Sequence, residues 1–271
     1  MTSQHLLFIF LSIYACNLHS EELPLWELGG GIGFLSSPHY LGANQRSNYV
    51  VPVPYGVYRG EYIQSDKGGL AGKIYDSHRL DLRLSLGGAL PVDSEDNNAR
   101  SGMPDLGFML EAGPTLQYSL HKQAHSVIRL DFPVRIALSL DKNKLNYRGF
   151  TTNPKLFMQY HFNTWRFSSN IGPTFGTQHY HDYFYTVDSQ YAQADRSEYQ
   201  AQAGYTGFRT SVSASKLWGN LYTGLFVNYY YLGGSNNDTS PLMKTNNYAS
   251  FGLAISWIFA KAQQQVEYDH F

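Results

Sequence analysis

Residues 78–90, HRLDLRLSLGGAL, put Leu80, Leu82, Leu84 and Leu86 on one side of an extended chain. Arg79, Asp81, Arg83 and Ser85 fall on the other. Side chains of a strand point alternately to opposite faces, so this period of two predicts a strand with one apolar and one ionic face. The alternation recurs. Residues 127–140 align Ile128, Leu130, Phe132, Val134, Ile136, Leu138 and Leu140 against Arg129, Asp131, Pro133, Arg135 and Ser139. Residues 150–162 align Phe150, Leu156, Met158, Tyr160 and Phe162, and residues 251–259 align Phe251, Leu253, Ile255, Trp257 and Phe259. No stretch holds a helical period, so the pattern predicts an all-β chain without a solenoid repeat.

Two architectures share this alternation. In a soluble sandwich the leucines would point into a common core. In a transmembrane barrel they would face lipid, with the charges in the lumen. Strand length separates them: soluble strands run about five or six residues, whereas a tilted membrane-crossing strand needs about 9–11. Several segments reach the longer figure. Strands are expected at 25–35, 48–58, 60–66, 69–75, 79–90, 106–120, 126–140, 149–162, 164–176, 200–217, 220–232 and 247–259. Short turns near Asp76-Ser77, His121–His125, Asn163-Thr164 and Trp218–Asn220 alternate with long polar connections at 36–48, 91–105, 141–148, 177–198 and 233–246. Trp26, Trp165, Trp218 and Trp257 lie near strand ends, where interfacial girdles sit. The pattern predicts a transmembrane antiparallel β-barrel of the outer-membrane type with about 12 strands, its short turns periplasmic. The pair 60–66 and 69–75 is short and reads as a partial hairpin. Pro114, Pro133, Pro154 and Pro173 interrupt expected strands and require bulges or strand ends.

Residues 1–20 carry the apolar run Leu6–Leu11 and are expected to be a signal peptide, although His5 is the only side chain of the n-region that could be basic. Ile13-Tyr14-Ala15-Cys16 is weakly like a lipoprotein box. Cys16 is the only cysteine, which excludes an internal disulfide and a Cys-based zinc site. Barrel residues are expected at 21–259 and a periplasmic tail at 260–271, with Gln263-Gln264-Gln265 reading as linker; the alternative is that Val266, Tyr268 and His270 pair as an extra strand. A formal net charge of -1 gives no basic field for nucleic acid.

Several stretches then carry a resemblance. Pro52-Val53-Pro54-Tyr55 precedes Tyr58-Arg59-Gly60, and Leu90-Pro91-Val92-Asp93-Ser94-Glu95-Asp96-Asn97 runs on to Met103-Pro104-Asp105-Leu106. Glu111-Ala112-Gly113-Pro114-Thr115-Leu116 follows. Together these resemble the MipA/OmpV family, the MltA-interacting proteins of Gram-negative outer membranes. The resemblance implies an outer-membrane barrel that contacts lipid and lipopolysaccharide. It also implies a scaffold linking a lytic transglycosylase to a peptidoglycan synthase; other members are described as porin-like or adhesive. Its most specific residues here are Pro91, Asp93, Ser94, Asp96, Asn97, Met103, Pro104 and Asp105.

Candidate chemistry is sparse. His121 and His125 are four apart but fall in an expected turn, and that spacing serves a metal only on a helix. His179 and His181 lie among Tyr180, Tyr183, Phe184 and Tyr185, in a loop expected to fold over the barrel mouth. No G-x-S-x-G occurs, and the acidic group Asp93, Glu95, Asp96 and Asp105 lacks EF-hand spacing. Arg79, Asp81, Arg83, Arg129, Asp131 and Arg135 are expected in the lumen as a cross-strand charge ladder that plugs it. The residues thus predict a barrel with no catalytic constellation, metal or cofactor, and the resemblance implies a non-enzymatic scaffold, with a small porin as the alternative and an outer-membrane lipid hydrolase as the third reading.

Overall fold

The computed structural model describes residues 21–60, 63–66, 69–77 and 79–268. The expected signal peptide and Cys16 lie outside the described residues. Strand β1 (Glu21–Pro24) precedes β2 (Trp26–Pro38), β3 (Arg46–Arg59), β4 (Ile63–Asp66), β5 (Gly69–Asp76) and β6 (Leu80–Ala89). Then come β7 (Phe108–Gln123), β8 (Ser126–Asp141), β9 (Lys144–Thr152), β10 (Lys155–Phe162) and β11 (Trp165–Gly176). Helix α1 (Gln178–Tyr185) is followed by β12 (Gly204–Trp218), β13 (Leu221–Tyr231), β14 (Asn247–Lys261) and β15 (Gln265–Tyr268).

Strands β2 to β14 form one 13-stranded antiparallel sheet. Sequential strands pair as hairpins, and β14 pairs with β2. Both β9 and β10 pair with β8 on one side and β11 on the other, so they are one stave broken at Asn153-Pro154, and the ring closes. Closure satisfies the backbone groups that an open sheet would leave bare in hydrocarbon.

The two faces differ as the alternation requires. Leu86 is 46% exposed and Phe259 69% exposed on the outside, whereas Ser139 and Ala137 are 0% exposed on the inside. The apolar outer face covers every long strand, far beyond the few hundred Å² that a water-soluble surface carries, so its solvent is lipid. At the short-turn end Trp165 stacks on Phe167 at 5.8 Å and meets Trp218 edge-on at 6.4 Å. Lys216 Nζ lies 3.4 Å from the Trp218 ring centre. An amphipathic belt with a snorkelling lysine marks the interface with water.

Four expectations are corrected. The connection 141–148 is not a long loop: β8 and β9 meet at a two-residue turn whose Lys142 and Asn143 both have positive φ, 47° and 63°. That is the twist a tight hairpin demands, and Asn tolerates it. The loop 177–198 contains a helix, which buries Tyr180, His181, Phe184 and Tyr185. Two turns are too short to register as a periodic signal. The segment expected as a tail begins inside β14, which runs to Lys261, and its residues 265–268 form β15 against β1. Arg79 stands exposed in the bend before β6 rather than on the strand.

The prolines sit where the ladder is interrupted. Pro154 is the break between β9 and β10, and Pro173 lies just before the register shift at Thr174/Phe175. Pro114 falls where the β7–β8 ladder skips two residues, and Pro133 takes up that ladder again opposite Thr115.

Candidate functional site: a lumen closed at both ends

The inward face carries three layers. At the short-turn end Tyr55, Val57 and Ile258 form a buried apolar cluster, with Leu217 and Tyr222 packed against it. Tyr55 donates its hydroxyl to Glu27 Oε2 at 3.0 Å, and Arg59 pairs with Glu27 at 3.6 Å. Arg59 Nη1 also donates to Pro24 O at 2.6 Å, tying β3 to the terminal ribbon.

The middle layer is ionic. Arg129 Nε donates to Asp131 Oδ1 at 2.8 Å, and Arg83 approaches Asp81 at 4.0 Å. Five of the six expected ladder residues therefore face the lumen, but these two pairs form along single strands rather than across them. The cross-strand pair is Arg135 with Glu111 at 3.9 Å, and Glu111 escaped the sequence reading because Ala112 and Gly113 beside it blur the alternation. Arg135 Nε also donates to Ser85 Oγ at 3.0 Å. Lys155 and Arg209 join the layer from β10 and β12, with Arg209 Nη2 donating to Asn228 Oδ1 at 2.9 Å. The Arg129 guanidinium lies 3.8 Å from the Phe157 ring centre, and Tyr230 stacks on Tyr248 at 4.7 Å.

At the long-loop end the connections 39–45, 90–107, 177–203 and 232–246 fold together into a cap. Tyr40, Val92, Leu106, Phe184, Tyr185, Val187 and Leu242 are buried in one apolar cluster there. Tyr40 donates to Leu242 O at 2.8 Å, Tyr185 to Leu41 O at 3.1 Å and Ser240 to Tyr185 O at 2.8 Å. Arg196 Nη1 donates to Ala99 O and Ser101 O, both at 3.0 Å. Tyr180 reaches down to Glu111 Oε1 at 3.1 Å and joins the cap to the ionic layer.

The motif residues build this cap. Asp93 accepts from Glu95 N at 3.0 Å and starts a short 3-10 turn. Ser94 N donates to Asp105 Oδ1 and Ser94 Oγ to Pro104 O, each at 2.8 Å. Asn97 is fully buried, and its Nδ2 donates to His39 Nδ1 at 3.0 Å. Met103 is buried, while Pro91 and Asp96 stay exposed. Arg100, within the same stretch but not among its singled-out residues, is buried and donates to Pro104 O at 2.9 Å and Phe184 O at 3.3 Å. The motif is therefore structural, holding one loop in the conformation that the others need.

The two buried histidines of the cap titrate below their ordinary value. Burial disfavours the His181 cation, partly opposed by the Gln202 carbonyl and Asp182. Gln202 O at 2.6 Å can only accept, so Nδ1 carries the proton and Nε2 accepts from Thr206 Oγ1 at 2.8 Å. Burial likewise lowers His39, against the pull of Asp96. His179 stacks on Tyr147 at 5.4 Å, and His121 lies 3.1 Å from Ser126 Oγ. Among the described residues no three His, Cys, Asp or Glu side chains gather as a metal site.

The family model for MltA-interacting protein MipA matches residues 30–259. The chain belongs to the MipA family. No curated protein matches it. The COG4313 outer membrane channel from Pseudomonas putida F1 shares 13% identity at TM-score 0.45, over 89% of this chain and 98% of that one. The CymD monoaromatic hydrocarbon channel shares 11% identity at TM-score 0.37, over 87% of both chains. These likenesses concern the fold alone. This MipA-family chain is thus an outer-membrane β-barrel.

Proposed function

We propose that this MipA-family barrel is a non-enzymatic scaffold whose short-turn end faces the periplasm and docks cell-wall enzymes, a lytic transglycosylase first among them. The observation that carries this reading is a cap folded over one mouth and an apolar cluster inside the other. Tyr55, Val57 and Ile258 pack inside the short-turn end, paired charges line the middle and a folded cap covers the long-loop mouth. Such a wall is ill suited to free solute flow. The feature left to offer a partner is the ribbon of β1 and β15 with the neighbouring turns. A short two-stranded ribbon presents strand edges to which an extended segment of a partner can add.

Immobilised lytic transglycosylase should retain the detergent-solubilised barrel. Deletion of residues 263–271, or exchange of residues 121–125 for a Gly-Asn turn, should lower that retention at least tenfold. Undiminished retention by both variants would refute docking at this end. Steady single-channel currents in planar bilayers would replace the scaffold reading with a pore.

A further inference from the structure

All four connections of the cap meet at one cleft. Ala99 and Arg196, both buried, form its floor, and Asn44, Asn98, Gln193 and Lys244 stand exposed around it. Its volume is about 170 Å³, below the roughly 300–1,000 Å³ of drug-sized sites and suited to one small ring. The backbone around it is fixed. Gln193 N donates to Arg196 O at 2.8 Å and Arg196 N to Gln193 O at 3.2 Å, while Lys244 N and Thr245 N share Gly42 O at 2.8 and 3.1 Å. Gln45 ties the first connection to the second, donating Nε2 to Asp96 O at 3.0 Å and accepting from Asn98 N at 2.7 Å.

The floor carries a cation without a counter-ion. Arg196 is 5% exposed and forms no salt bridge with a described carboxylate. Its Nε and Nη1 donate to Tyr191 O, Ala99 O and Ser101 O, each at 3.0 Å, and its Nη2 has no partner among the described residues. A second guanidinium is close behind. Arg100 is buried too, and burial chiefly, with the Arg196 charge adding to it, holds it below its ordinary value against the pull of Tyr40, Tyr183 and Asp105. Lys244 adds a third cation at the rim. A buried cation is costly until an anion faces it.

The rest of the lining suits hydroxyl groups. The side-chain amides of Asn44, Asn98 and Gln193 are not spent on other described residues, and each offers two donors and an acceptor. Asp195 stands exposed at the rim without a salt bridge to a described cation. A carboxylate there accepts from hydroxyls and repels a compact, multiply charged anion such as phosphate. Arg196 and Lys244 against Asp195 leave the lining one net positive charge. Amides, one carboxylate and an excess cation together match a hydroxylated ring that bears a single acid group.

We propose that this cleft binds one uronic-acid unit of an acidic saccharide at the capped end of the barrel. The sugar carboxylate faces Arg196 and Lys244, and its hydroxyls meet Asp195 and the three amides. The same unit can be carried by a glycolipid of the surrounding leaflet or by a soluble saccharide. The site lies at the opposite end from the ribbon of β1 and β15 and stands or falls apart from docking there.

The test uses the full chain in nanodiscs, with binding read by saturation-transfer NMR. D-glucuronate and D-galacturonate are compared with D-glucose, which lacks the acid, and with inorganic phosphate, which lacks the ring. One uronate or both should bind saturably and at least tenfold more tightly than either control. Lys244→Glu should weaken uronate binding at least tenfold, and Asp195→Asn should weaken it while tightening phosphate. Arg196→Gln should abolish it. Because Arg196 also holds Ala99 O and Ser101 O, Lys244→Glu at the rim decides the matter should the Gln variant loosen the cap, and a heat-shift gel confirms that each variant is a folded barrel. A glucuronosyl diacylglycerol in the same nanodisc should compete with the free uronate if the leaflet supplies the sugar; undiminished binding of the free uronate assigns the cleft to a soluble saccharide. No saturable uronate binding, glucose or phosphate binding as tightly, or indifference to Lys244→Glu would overturn the site.

Discussion

The Nε2 atom of His181 lies 2.8 Å from Thr206 Oγ1, joining the helix of the cap to the first turn of β12. This contact makes the cap sensitive to acid. Burial holds His181 and His39 below their ordinary value of 6.5 in the folded state, so the native cap binds fewer protons than the unfolded loops. Their contribution to cap stability is full above about pH 6.5 and is lost as the pH falls through the lowered folded values. Limited proteolysis within 186–203 should accelerate between pH 7.5 and pH 5. His181→Gln should flatten that dependence, and an unchanged pH profile in the variant would contradict the assignment.

The Glu111–Arg135 pair predicts strong non-additivity. Removing one partner leaves the other charge without its counter-ion inside the barrel, which costs up to about 3–5 kcal/mol, whereas removing both costs less. Glu111→Gln and Arg135→Met should each lower the urea midpoint of unfolding in lipid vesicles, and the double variant should recover part of the loss. Additive losses would show that the two groups do not act as a pair.

The lipid face and the lumen face should respond oppositely to charge. Leu253→Arg places a cation at mid-strand on the exposed outer face of β14 and should destabilise by about 2–4 kcal/mol. Ala254→Ser, one residue along on the inner face, should change stability by less than about 1 kcal/mol. Chemical unfolding followed by tryptophan fluorescence reads both.

Asn237 is the polar centre of the cap. It is 0% exposed, accepts from Gln202 N at 2.8 Å and donates to Gln202 O at 2.9 Å. Asn237→Ala leaves both Gln202 backbone groups without that partner and should cost about 1–3 kcal/mol. Amide exchange in 200–206 should rise, while exchange in β7 and β8 stays constant. Uniform loss of protection would mean that the cap and the barrel unfold as one unit.

The wall of the barrel was legible because lipid outside and polar groups inside impose a period of two on every long strand. Leu80 to Leu86 and Phe251 to Phe259 carry that signal without interruption. The cap was not legible. Its residues are fixed by contacts between distant loops, such as Tyr185 on Leu41 O and Arg196 on Ala99 O, which leave no periodic trace. Charge partners were half legible: Arg129 and Asp131 sit two apart on one strand, but Glu111 meets Arg135 only through the register of β7 on β8.

The ribbon in which Glu21 opposes Tyr268 joins residues separated by almost the entire polypeptide. For a chain delivered N-terminus first, this clasp and the adjoining β14–β2 seal are the last contacts that can form. Until then the growing sheet keeps two raw edges, and membrane insertion has to wait for, or be sheltered until, arrival of β14 and β15.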